Sequence, residues 1–136
     1  MQLNPYLMFD GQCEAAFRFY EQALGGKIAA MMTFGDGPMA EQTPSERRGK
    51  IMHARLVVGD AVLMGSDAPA EHYEKMTGFS VTLSLDEPAE AERVFNALAA
   101  GATITMPIQE TFWARRFGML VDRFGTPWMI NCEKPM

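Results

Sequence analysis

The run "YLMF" at residues 6 to 9 alternates as a strand does, and the period then changes. From Cys13 the apolar positions recur every three or four residues. Cys13, Ala16, Phe17, Tyr20 and Leu24 thereby fall on one face of an amphipathic helix. Gly25 stands where a helix ends on a left-handed residue, and another strand follows. Asp10, just ahead of the helix, is the expected N-cap acceptor. Further on, "HARLVV" and "AVLMGS" flank Gly59 and Asp60 as a hairpin. Residues 35 to 50, "GDGPMAEQTPSERRGK", are rich in glycine, proline and charge; they predict a mobile loop and a candidate lid.

The same grammar returns. A shift of 76 residues lays "LMFDGQCEAAFRFYEQALGGKI" (7 to 28) over "LSLDEPAEAERVFNALAAGATI" (83 to 104), with eight identities in 22 positions. These are Leu7/Leu83, Asp10/Asp86, Glu14/Glu90, Ala15/Ala91, Phe19/Phe95, Ala23/Ala99, Gly25/Gly101 and Ile28/Ile104. A fixed shift between unrelated segments gives far fewer, so the chain reads as a duplicated supersecondary unit. In the second copy Asp86 is the expected cap and Pro88 suits the first helical turn. Ala91, Val94, Phe95 and Leu98 form the apolar face. The second hairpin pairs "WARRFGMLV" with "PWMIN" around "DRFGT". The order is strand, helix, three strands, written twice, an α+β class of two βαβββ modules. The two repeats span about 1–68 and 77–134 of one domain covering 1–136.

Composition changes the picture only by exclusion. With 136 residues, the length suits one compact domain. No apolar run approaches bilayer length, and "MQLNPYLMFD" resembles no secretory leader, so a cytoplasmic protein with no membrane partner is expected. A net charge of −5 without a basic stripe argues against nucleic acid. Cys13 and Cys132 lack metal-ligand spacing and read as free thiols. Twelve methionines suit either an irregular core or an adaptable apolar pocket.

The doubled unit resembles the vicinal oxygen chelate superfamily, which includes glyoxalase I, the bleomycin and fosfomycin resistance proteins and the extradiol dioxygenases. The PhnB-like branch is the nearest in pattern. The resemblance is carried by "NPYLMF", "AFRFYEQALGG", "HARLVVGDAVLMGSDAP" and, above all, "QETFWARRFGMLVDRFGTPWMIN". It implies a glyoxalase/bleomycin resistance fold, a cupped mixed sheet formed from both halves, a homodimer, and a small-molecule pocket on the concave face. Some members of this branch are described as ubiquinone-pathway methyltransferases. Neither strand-to-helix turn here, Phe9 to Gln12 or Leu85 to Pro88, is the glycine-rich turn such a cofactor site commonly uses, so that activity is not expected.

Metal-dependent relatives draw His, Gln or Glu ligands from the first and last strands of each half. The resemblance puts the corresponding positions near Pro5, Phe79 and Met129, and none offers a hard donor. No metal and no other cofactor is expected. His53 and Glu110 are candidates for acid/base chemistry. Arg55 shares a strand face with His53, and the pair suits an anionic ligand or proton transfer, with a histidine hydrogen-bonded at a dimer seam as the other reading. His72, among Asp67, Glu71 and Glu74, reads as a surface histidine. Trp113, Arg115, Trp128, Met129 and Asn131 complete the ligand-binding candidates. Arg115 and Arg116 point in opposite directions, and alternation leaves open which faces the pocket.

The expected function is small-molecule binding without the superfamily metal. Two alternatives stay open, a lyase or isomerase using a protein acid/base and a metal-dependent glyoxalase or dioxygenase. The ligand is not specified by the residues.

Overall fold

The computed structural model describes residues 1 to 135. The chain falls into two units, Met1–Glu74 and the stretch from Lys75 onward. In the first, strands β1 (Tyr6–Phe9), β2 (Lys27–Thr33), β3 (Ile51–Val58) and β4 (Ala61–Asp67) accompany helix α1 (Cys13–Leu24). The strand order is β1-β4-β3-β2, with β1 parallel to β4 and the other pairs antiparallel. The second unit has β5 (Val81–Ser84), α2 (Pro88–Leu98), β6 (Thr103–Gln109), β7 (Ala114–Val121) and β8 (Pro127–Glu133). Its order, β5-β8-β7-β6 with β5 parallel to β8, repeats the first. The expected βαβββ grammar is present twice, each copy with its own four-stranded mixed sheet.

Each helix covers one face of its sheet. Cys13, Ala16, Phe17, Tyr20 and Ala23 of α1 are buried, as are Leu7, Phe9, Ala54, Leu56 and Leu63 on the strands. Gly65 lets the helix approach, because a Cβ there would lie 2.8 Å from Phe17 Cε1. In the second unit Ala91, Val94, Phe95 and Leu98 are buried, as are Leu120, Trp128 and Ile130. Gly118 has the equivalent service: a Cβ there would stand 2.6 Å from Phe95 Cε2.

The helix N-termini differ from expectation. Asp10 and Asp86 cap neither helix. The N-cap positions are Gln12 and Glu87, without a side-chain capping bond. Pro88 occupies the first turn of α2 as read from the sequence. The first N–H of α1 is satisfied from far along the chain. Asp67 Oδ1 accepts from Cys13 N at 2.9 Å, and its Oδ2 accepts from Ile51 N, also at 2.9 Å. One buried carboxylate therefore ties the end of β4 to the starts of α1 and β3.

Residues 34 to 50 are built rather than featureless. Three short 3-10 turns, Phe34–Asp36, Ala40–Gln42 and Ser45–Arg47, are closed at the base by Phe34 N to Lys50 O and Gly35 N to Arg48 O, at 3.0 and 2.9 Å. Arg48 Nε donates to Ala40 O and Thr43 O, and Lys50 Nζ to Gly11 O. The loop expected from composition is present, with backbone and side-chain bonds across it.

Candidate functional site

Cross-strand pairing determines which side chains share the faces turned away from the helices, because paired residues project to the same side. In the second unit, Met106, Met119 and Met129 are successive partners across β6, β7 and β8, with Thr82 of β5 next to Met129. The adjoining row runs Ser84, Asn131, Phe117 and Gln109. Trp113 leans edge-on against Phe117 with centroids 5.3 Å apart. This is a thioether and aromatic wall with one amide in it. Asn131 Oδ1 is sealed from solvent and has no hydrogen-bond partner among the described residues.

The question of the adjacent arginines has an answer. Arg116 faces the helix, where its Nε donates to Glu92 Oε1 at 2.7 Å. Arg115 lies on the other side and spends its guanidinium on backbone carbonyls, Glu133 O at 3.1 Å and Asp86 O at 2.6 Å. It borders a cleft of about 150 Å³ with Ser84, Leu85, Asp86 and Glu133. Trp128 does not join the wall. It is buried on the helix side, and its indole N–H donates to Asp122 Oδ2 at 2.8 Å. Asp122 Oδ1 accepts from Phe124 N and Thr126 N, so this aspartate and Trp128 hold the β7–β8 turn. Glu110 is exposed and ion-paired with Lys134 at 3.3 Å.

On the first unit's open face, β3 carries His53 and Arg55, paired with Met32 and Ala30 of β2. Arg55 is also paired with Met64 of β4, and Met64 with Tyr6 of β1. The Tyr6 hydroxyl lies 3.4 Å from His53 Nδ1. Arg55 makes no hydrogen bond or ion pair among the described residues. His72 is exposed in a short 3-10 turn, as a surface residue should be. Cys13 and Cys132 are buried free thiols, and burial, then Asp67 and Glu14, push the Cys13 thiol far up from its ordinary range. Tyr6 was missed as a site residue in the sequence, whereas alternation from Arg115 already sets Phe117 and Met119 on its face, although neither was among the ligand-binding candidates.

Among the described residues no three His, Cys, Asp or Glu side chains stand together as a metal site. Met129, where the resemblance calls for a carboxylate, offers a soft thioether, and it is flanked by Met119 and Thr82. Pro5 and Phe79 carry no donor atom in their side chains.

A family model described as 3-demethylubiquinone-9 3-methyltransferase matches residues 1–131. The chain belongs to this family, and its fold is the glyoxalase/bleomycin resistance fold. Protein PA1353 from Pseudomonas aeruginosa is similar in structure and sequence, with 51% identity, a TM-score of 0.91 and 99% of each chain covered. A PhnB protein from Bacillus cereus shares the fold at 23% identity and a TM-score of 0.81, over 97% of this chain and 99% of its own. A glyoxalase/bleomycin resistance protein/dioxygenase family enzyme from Burkholderia phytofirmans shares the fold alone, at 15% identity and a TM-score of 0.66, with 96% and 97% covered. No described helix is long and apolar enough to cross a membrane.

Proposed function

We propose that this PhnB-like protein is a cytoplasmic homodimer that binds a small, mostly apolar molecule through the open face of its second unit, without the superfamily metal. The observation that carries this reading is Asn131 Oδ1, an acceptor closed off from water with no donor to meet it. An unpaired buried carbonyl costs about 1–3 kcal/mol, and a turn of the Asn131 side chain toward the open face would bring it to a ligand N–H or O–H and remove that cost. Phe117, Met119 and Met129 supply the surrounding apolar contact, and thioethers adapt to ligands of irregular outline.

Methyl transfer from a nucleotide-like donor has little support. Each sheet contains one parallel pair, and neither strand-to-helix turn supplies a glycine-rich cradle. A lyase or isomerase reading rests on His53 and its contact with Tyr6, a geometry suited to moving a proton. Glu110, tied to Lys134 in solvent, does not add to it.

Trp113, in contact with Phe117, makes the proposal measurable by fluorescence. Titration with 4-phenylphenol and its methyl ether should show saturable quenching, with the phenol binding about tenfold more tightly through one hydrogen bond to the amide. Asn131→Leu should erase that preference while retaining the ether. Equal affinities in the unaltered protein would overturn the assignment.

A further inference from the structure

We infer that the open face of the first unit is an oxyanion site, which takes the carboxylate or phosphoryl end of a small organic anion with Arg55 as its charged anchor. The chain has eight arginines. Seven have partners: Arg18, Arg93 and Arg116 pair with glutamates, Arg47, Arg48 and Arg115 donate to backbone carbonyls, and Arg123 lies over Phe124. Arg55 alone has none among the described residues, although it is half-buried in a chain of net charge −5. Its nitrogens are unpaired yet not sealed from solvent, so a solute can reach them.

The neighbours are donors and apolar groups. Strand pairing sets Tyr6, Met64 and Arg55 side by side, and the Tyr6 hydroxyl stands beside His53. In the next row Ser66, only 6% exposed, has the Met8 sulfur at 3.5 Å as its hydroxyl's contact, which is a weak acceptor. The residues paired across β1, β4, β3 and β2 on this face include no carboxylate; Asp67 projects to the helix side and is occupied by two backbone N–H groups. A planar guanidinium matches two oxygens of a carboxylate or phosphoryl group, and Met8, Met32 and Met64 supply an apolar surround for the organic remainder. This inference goes beyond the proposal above, since it concerns another sheet face and a charged group.

The test follows the Arg55 Nε resonance of isotopically labelled protein during titration with benzoate, phenyl phosphate and the neutral benzamide. Saturable shifts with benzoate or phenyl phosphate are expected, and the tighter of the two names the preferred oxyanion. Benzamide and the Arg55→Met variant should each weaken binding by about tenfold or more, the scale of a charged hydrogen bond. Asn131→Leu should leave anion binding unchanged, which separates this site from the second unit's wall. An Arg55 signal unmoved by both anions, or benzamide binding as tightly as benzoate, would overturn the inference. So would full affinity in Arg55→Met. If Arg55→Met does not fold, the comparison of the three probes on the unaltered protein decides alone.

Discussion

Asp10 and Asp67 differ in what they hold. Asp10 sits beside the helix it was expected to cap, is exposed, and makes no bond to it. Asp67, 54 residues from Cys13, is 2% exposed and accepts two backbone N–H groups. Removing its carboxylate leaves two buried donors without acceptors, whereas removing the Asp10 side chain leaves none. Asp67→Ala should therefore lower unfolding free energy by at least about 2 kcal/mol, and Asp10→Ala should change it by less than about 0.5 kcal/mol. Urea denaturation of both variants checks this, and equal losses would restore Asp10 as the cap. The sequence could not show the exchange, because capping rules look a few residues ahead and the true acceptor arrives from another strand. Trp128 was obscured in a similar way: its period on β8 was readable, but its bond to Asp122 depends on how the turn closes.

At the scale of elements, the helices were readable because their burial follows the 3.6-residue period along one face. The seats they rest on were not. Gly65 and Gly118 look like ordinary strand residues in the sequence, yet Phe17 and Phe95 occupy the space above them. Gly65→Ala and Gly118→Ala should each cost about 1–3 kcal/mol, since the added methyl meets a packed ring and nearby backbone. Gly49→Ala, with nothing within 4 Å of the new methyl, should stay within about 0.5 kcal/mol of the unaltered protein. Shifts in urea midpoint would distinguish the two outcomes. A similar limit applies to residues 34 to 50, whose composition announced a loop but not the backbone bonds that brace it.

For the whole molecule, the duplication was the most legible feature, because both copies keep their order of elements and several identities in matching places. The candidate site was only half legible: alternation separated Arg115 from Arg116, but pairing with Glu92 was needed to say which faced the helix. The proposed homodimer gives the expectation at this scale. Light scattering on a sizing column should return the mass of two chains at micromolar concentration, and a single-chain mass would remove the dimer. The ladder order has one more consequence, for synthesis. The first strand finds its partner only in the fourth, so the first sheet cannot close until residue 67 has been made, and its ladder then requires no strand from beyond Glu74. On the ribosome, the earlier half can therefore complete its sheet while the later half is still being translated.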